Sequence, residues 1–199
     1  MQTAVLHIKE QISDIVLWQN FKEGNDNALS EIMRRYFRAL LQYGTKFTKN
    51  RLLVEDTVQD LFLELLERRR YISTPESVKN YLFKALRNNL NRAVNKNNLF
   101  IELVDHEDCL LVELENIEQT LIAQNSLNDL KSKFNQYFKL FTKRQKEALH
   151  LKYYESLSHD EISLIMEINK QSVSNLLQQS INILKNNWII FLLFAKIWL

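Results

Sequence analysis

The chain has 199 residues, of which two are Gly and one is Pro, and its 26 Lys and Arg against 24 Asp and Glu leave a formal net charge of +2. That length holds one medium domain or two small ones, and so few turn-forming residues exclude a protein built of sheets and hairpins, so the expected class is all-α. A single cysteine, Cys109, excludes an internal disulfide framework, and His7, His106, His150 and His159 are scattered without zinc-like spacing, which makes them expected surface or boundary residues rather than metal ligands.

Near the N-terminus, "MQTAVLHIKEQISDIV" has no charged start followed by an uninterrupted apolar run, and the expectation is a protein that stays in the cytoplasm. A short amphipathic helix is predicted over 14–21, ending at Gly24. Asn25 or Asp26 can cap the next helix, whose apolar residues Leu29, Ile32, Met33, Tyr36, Leu40 and Tyr43 fall on one stripe. A third helix is predicted from about Leu53 to Arg69. A fourth is predicted with Thr74 as its cap and Pro75 at the first helical position, where the missing N–H costs nothing, running to about Lys96. Charge then changes: residues 1–98 carry 16 Lys and Arg against 11 acids, whereas 99–130 carry eight acids and no cation. This acidic strip reads as a linker, and the asymmetry suggests a polyanion for one part of the chain and a cationic surface for the other.

A second domain is predicted from about Leu130. Its clearest local signals are the capping boxes Thr142 with Gln145 and Ser158 with Glu161, and Asn169 can cap a further helix through its side-chain oxygen. The closing "WIIFLLFAKIWL" is apolar, but its run from Trp188 to Ala195 is far shorter than the roughly 18 residues a membrane span needs. It reads as an extension of the last helix or as a partner-binding or membrane-surface tail.

Three stretches carry candidate chemistry. In "VEDTVQDLFLELLERRR", Val54, Val58, Leu61, Phe62 and Leu65 gather on one side at helical spacing, and Asp56, Gln59, Asp60, Leu63 and Glu67 gather on the other. An acidic stripe is commonly a solvated face, yet Leu63 within it is what a protein-binding face would contain. In "PESVKNYLFKALRNNLNRAVNKN", Leu82, Ala85, Leu86, Leu90 and Ala93 form the expected buried arc. Opposite them lie Asn80, Lys84, Arg87, Asn88, Asn91, Arg92 and Asn95, a polar face without a carboxylate. Cations neutralise phosphate and amides address base edges, so this composition suits nucleic acid, with Tyr81 placed to stack on a base; a solvated Asn-rich face is the alternative. Third, Ser158 to Glu167 and Asn169 to Asn187 read as two helices on a turn of about two residues, with Ile162, Ile165 and Met166 inward on the first and Val173, Leu176, Leu177, Ile181, Leu184 and Trp188 inward on the second. That is helix-turn-helix spacing, although helical corners in ordinary cores look alike.

Taken in order, "FKEGNDNALSEIMRRYFRALLQYGTKF", "EDTVQDLFLELLE", "YLFKALRNNLNR", "FTKRQKEALHLKYYESLSHDEI" and "INKQSVSNLL" resemble the sigma-70 family of RNA polymerase sigma factors, of the compact extracytoplasmic-function type. The resemblance covers roughly 14–96 and 130–186. It implies two small helical domains, a region 2 bundle over 1–96 and a region 4 helix-turn-helix over 130–187, joined by the acidic linker 97–129 and followed by a hydrophobic tail, 188–199. It implies a non-enzymatic subunit without metal or cofactor, whose partners are core RNA polymerase, promoter DNA and any anti-sigma factor. It assigns Asp56, Gln59, Asp60 and Leu63 to polymerase docking. Asn80, Tyr81, Lys84, Arg87, Asn88 and Arg92, with Tyr71 in the loop to Thr74, match residues facing the promoter −10 element; Lys170, Gln171, Ser172, Ser174, Asn175 and Gln178 match the −35-reading helix. The linker would imitate RNA in the polymerase channel.

The chain departs from the pattern at several points. Glu167 stands where the turn usually carries Gly, Ser163 where a small Ala follows "EI", and Tyr81 where Trp is common. Ser174, Leu176 and Gln179 replace common cations, leaving Lys170 and Lys185 as the only cations between Asn169 and Asn187. A free-standing dimeric helix-turn-helix regulator is the competing reading, and the "EDTVQDLF" stripe, of no use to it, is the discriminating feature. An inactive helical relative acting only through protein contacts is a third. No paired carboxylates, nucleophile with base, or phosphate loop can be assembled for an enzyme or a small-molecule substrate.

Overall fold

The computed structural model describes residues 12–98 and 140–185. They form seven helices: α1 (Asp14–Lys22), α2 (Asp26–Gly44), α3 (Arg51–Glu67), α4 (Val78–Asn98), α5 (Lys143–Leu149), α6 (His159–Met166) and α7 (Lys170–Lys185). A single π-helical turn, His150–Tyr154, continues α5. Among the described residues there is no strand.

Local chemistry starts and stops these helices. Ser13 caps α1, Asn25 caps α2 by accepting from the Asn27 N–H at 3.1 Å, and Asn50 caps α3 by accepting from Leu53. Gly24, between the first two helices, adopts φ +106°, a backbone conformation that side chains disfavour. Both expected capping boxes form, and Asn169 caps α7 through a 2.7 Å bond from the Ser172 N–H. The fourth helix starts later than its Pro suggests. Thr74 and Pro75 lie in the loop after α3, helix begins at Val78, and Ser77 Oγ accepts from the Asn80 N–H as the cap. A Pro preceded by Thr suits an extended loop as well as a helix start, and the Trp18 indole fixes the loop form by donating to the Ser73 carbonyl at 3.2 Å.

Helices α1–α4 enclose one core. Trp18, Phe21, Ile32, Leu40, Tyr43, Val54, Val58, Leu82, Phe83, Leu86 and Leu90 are fully buried in it, and each large apolar side chain removed from water contributes about 1.5–3 kcal/mol. The stripes expected on α2 and α3 are the ones that face inward. Gly44 closes the α2 end, and a Cβ there would overlap Val54 Cγ1, so the helices approach as closely as they do because the side chain is absent. Asp14 ties α1 to α2 through Arg35 at 2.7 Å and the Tyr36 hydroxyl. In the second unit Ile162, Ile165, Met166, Val173 and Leu177 fill the angle between α6 and α7, and Ala148 and Leu151 come from the element before them. The expected start of this unit near Leu130, the linker, Trp188 and the apolar tail lie outside the described residues.

The two units are packed on each other. Phe83 of α4, which the sequence places on no buried arc, is 0% exposed. Its ring lies 5.1 Å from that of Tyr43 on α2. His150 is a second correction: it is 3% exposed, not a surface or boundary residue, and it stacks on Tyr43 on one side and Tyr154 on the other. Tyr43, Phe83 and His150 together form the apolar floor beneath a set of ion pairs that join the units.

Candidate nucleic-acid and polymerase interface

Three surfaces were expected from the sequence, and they meet different fates in the fold. On α3 the inward residues Val54, Val58, Leu61, Phe62 and Leu65 are all buried, which turns Asp56, Gln59, Asp60 and Leu63 outward. Leu63 is 56% exposed and does not stand alone: Leu52, one turn before Asp56, is 71% exposed, and Leu66 also reaches solvent. Exposing three leucines beside carboxylates costs solvation that a purely solvated face would avoid, and fits a surface covered by another protein. Leu52 and Leu66 were legible in principle, because they continue the same helical spacing beyond the four residues first singled out.

The polar face of α4 divides in two. Tyr81, Asn88 and Arg92 line a groove of about 240 Å³ with Glu64, Arg68 and Ile72 from the end of α3 and the following loop. Tyr81 is held there edge-on against Trp18, ring centroids 5.1 Å apart. Tyr71, at the rim loop, is 86% exposed. Asn80, Lys84 and Arg87 point elsewhere, toward the second unit. The Arg87 Nε donates to Glu147 Oε1 at 2.7 Å, and the Tyr43 hydroxyl donates to the same oxygen at 2.7 Å. Lys84 pairs with Glu167 at 3.2 Å, and Asn80 Nδ2 donates to Glu161 Oε1 at 3.2 Å. Lys79, a neighbour the sequence reading did not include, reaches both the carboxylate and the backbone carbonyl of Glu155 at 2.8 Å. The expectation of one continuous outward-facing polar surface is therefore corrected. No acid lies on that face of α4, but acids from α5, from the residue that follows the π turn, from α6 and from the turn after it are brought to it.

Electrostatics follow burial. The Arg87 and Glu147 side chains are only 13% and 7% exposed, so this pair is largely removed from water and is held by hydrogen bonds rather than by charge alone. Burial, with Glu147 beside it, holds the Tyr43 phenol well above its ordinary pKa and keeps it a donor. The backbone N–H of Ser158, followed by its hydroxyl and Asn80, lowers Glu161, so that this one carboxylate caps α6 and reaches α4 while charged. His150 has no hydrogen-bond partner among the described residues, and burial, then Lys46 and Lys79, depress it to about 3. It is a neutral ring in this packing.

Helices α6 and α7 meet at a three-residue turn, 167–169, with Glu167 in the left-handed region at φ 53°. Gln171, Asn175 and Gln178 are exposed along one side of α7, with Ser172 and Ser174 half-buried beside them. Gln171 donates to Asn175 at 3.1 Å and Gln178 to Asn182 at 3.2 Å, so the amides form an ordered donor and acceptor row. Lys170, the cation at the start of α7, is paired with Asp160 at 2.9 Å. Leu176 and Ile181 are half-buried, whereas Val173, Leu177 and Leu184 are buried as expected. Among the described residues no three His, Cys, Asp or Glu side chains cluster as a metal site would require.

Residues 32–99 match the family model described as Sigma-70 region 2, and residues 142–182 match Sigma-70, region 4, so that together they cover more than half of the chain. The chain belongs to the sigma-70 family. Most of α2, with α3 and α4, accordingly falls in its region 2 and α5–α7 in its region 4, in the order that the sequence motifs imply. No curated protein sequence matches it. Among solved structures it is similar to CnrH in complex with the cytosolic domain of CnrY, with a TM-score of 0.61, 16% identity and coverage of 89% of this chain and 97% of that one. It is also similar to the sigma factor RpoE in complex with the anti-sigma factor NepR from Bartonella quintana, with a TM-score of 0.55, 17% identity and coverage of 79% and 94%. At such identity these likenesses establish the two-region helical fold. Among the described residues no helix is long and apolar enough to cross a membrane.

Proposed function

We propose that this sigma-70 factor is an alternative sigma factor of the extracytoplasmic-function type, which joins core RNA polymerase through α3 and directs it to a restricted set of promoters. Region 2 is assigned to 1–96, the linker to 97–129 and region 4 to 130–187. The family makes it a promoter-recognition subunit rather than an enzyme, and one that works in the compartment holding polymerase and DNA. The observation that carries polymerase docking is the α3 stripe of Leu52, Asp56, Gln59, Asp60 and Leu63, apolar and acidic side chains turned outward together by a fully buried opposite face. A free-standing dimeric regulator has no need of that stripe and is the weaker reading. The groove of Tyr81, Asn88 and Arg92 beside exposed Tyr71 is assigned to the −10 strand, with Asn80, Lys84 and Arg87 extending it. The amide row of Gln171, Asn175 and Gln178, with Lys170, Ser172 and Ser174, is assigned to the −35 element. The anti-sigma complex of the similar RpoE structure supports an anti-sigma protein as a further partner here.

The test is core binding. Asp60→Lys combined with Leu63→Ala changes two exposed side chains, so helical content should be unchanged while retention by core polymerase is lost. Undiminished retention would remove α3 as the docking surface.

A further inference from the structure

A second cavity, of about 290 Å³, opens where the residues after α2, the second half of α4 and the first turns of α5 converge. Asn91 and Asn95, on the polar face of α4 but used by neither promoter surface, line it together with Arg87. Lys46 and Phe47 close it from the side of α2, and Lys143 and Arg144 from α5. Four cations thus face one carboxylate, Glu147. That carboxylate is already engaged by the Arg87 guanidinium and the Tyr43 hydroxyl, so Arg87 and Glu147 offset each other, and Lys46, Lys143 and Arg144 set the sign of the lining. After burial itself, Lys46 contributes most to keeping the nearby His150 ring neutral, which shows that its positive field reaches into the protein beneath the cavity.

We propose that this cavity binds a nucleoside polyphosphate, with the phosphates held by Lys46, Lys143 and Arg144 and the base placed over Phe47. Lys143 and Arg144 are exposed at the rim, whereas Phe47, Asn91 and Val94 are half-buried within. Lys and Arg form charge-assisted hydrogen bonds with phosphate oxygens. An aromatic ring offers a stacking face to any base, and Asn presents a donor and an acceptor to a base edge. A lining of cations alone would accept any anion. The added ring and amides instead suit a ligand with one charged end and one flat, hydrogen-bonding end. Phe47 is braced edge-on against the buried Tyr43 ring, centroids 5.2 Å apart, which fixes the stacking surface in place. The volume stands at the lower end of the range for small-molecule sites, roughly 300–1,000 Å³, so the base and sugar fill it and the phosphates extend to the cationic rim.

The site is separate from the groove assigned to the −10 strand, and the two share no lining residue. Its own lining is drawn from two parts of the chain, because Lys46, Phe47, Asn91 and Asn95 fall within the region 2 match and Lys143 and Arg144 within the region 4 match. A ligand that touches both parts is bound by the chain as it is arranged here, and by linkage it stabilises that arrangement in proportion to its concentration over its Kd. The inference goes beyond polymerase and promoter recognition and does not depend on either.

Isothermal titration calorimetry of the full-length chain with ATP, GTP and inorganic triphosphate tests this. At least one of the nucleotides should bind saturably at one site per chain, about tenfold or more tightly than inorganic triphosphate, the difference being the stacked base. Lys143→Glu with Arg144→Glu alters two exposed side chains in the first turn of α5, where acids favour a helix, and leaves the Thr142 capping box intact. Helical content should therefore hold while nucleotide affinity falls about tenfold or more. Asn91→Ala with Asn95→Ala should weaken the nucleotide and leave inorganic triphosphate unchanged. Arg68→Ala, which removes a cation from the other groove, should leave nucleotide affinity as it was. No saturable binding at millimolar nucleotide, or an affinity unmoved by the charge reversal, overturns the site. Equal affinity for inorganic triphosphate overturns nucleoside recognition, and a loss in Arg68→Ala matching that of the charge reversal moves the ligand to the other groove and overturns the assignment. Should the charge reversal unfold the chain, unchanged nucleotide affinity in the Asn91 and Asn95 variant overturns the site by itself.

Discussion

Replacing His150 with Leu should make the stability of the protein less sensitive to acid. Burial depresses the imidazole from its ordinary 6.5 to about 3, with Lys46 and Lys79 adding to the effect. Between those values the unfolded chain holds a proton that the folded chain does not, so stability falls as pH drops through the window. The groups near the ring are Tyr43 and Tyr154 on its two faces, the two lysines, and Glu155, whose carboxylate is 3.7 Å from Nε2. Between pH 7 and pH 5 the linkage amounts to about 2 kcal/mol, and this depends little on the folded value because the folded ring stays neutral throughout that interval. Urea unfolding of both proteins at pH 7, 6 and 5 isolates the effect as a difference of differences, in which the constant cost or gain of the Leu substitution and the titration of all other groups cancel. Wild type should lose about 2 kcal/mol more than His150→Leu over this range. Parallel loss in the two proteins would mean that the imidazole is protonated in the fold, and so paired or hydrated rather than sealed between two tyrosines.

Two further substitutions address the fold and the second DNA surface. Gly44→Ala should destabilise region 2 by about 1–3 kcal/mol in denaturant unfolding, since its Cβ would overlap Val54 and press on Leu90 where α2, α3 and α4 converge; an unchanged midpoint would show that Val54 yields without cost. In holoenzyme, Gln178→Ala should alter preference among −35 sequences by about 1–3 kcal/mol per lost bidentate base contact, without affecting core binding. Equal use of all −35 variants by mutant and wild type would leave α7 a structural element.

Helix identity was legible because each helix carries its own periodicity and caps. Val54, Val58, Leu61, Phe62 and Leu65 recur at helical spacing and are buried, and Asn25, Thr142, Ser158 and Asn169 cap where a side-chain oxygen precedes a helix. Pro75 misled because its fixed φ serves an extended loop equally, and the choice was made by Trp18, about 55 residues away, donating to Ser73. Phe83 and His150 were missed for the same kind of reason. Neither lies on the apolar arc of its own helix: Phe83 is fully buried with its ring against Tyr43 of α2, and His150 is buried with its ring stacked on Tyr43 of the other unit.

The site was legible to the extent that one helix can declare its own chemistry. The outward stripe of α3 needs only α3 to be read, and so does the amide row of α7. The α4 face is different, because a row of cations and amides specifies the charge of its partner and nothing more. Phosphates satisfy it, and so do Glu147, Glu155, Glu161 and Glu167, which are spread over some twenty residues of sequence with no spacing that reveals a common surface. That indifference is itself physical: the more completely a face is prepared for a polyanion, the stronger is its attraction for any carboxylates its own chain can bring within reach.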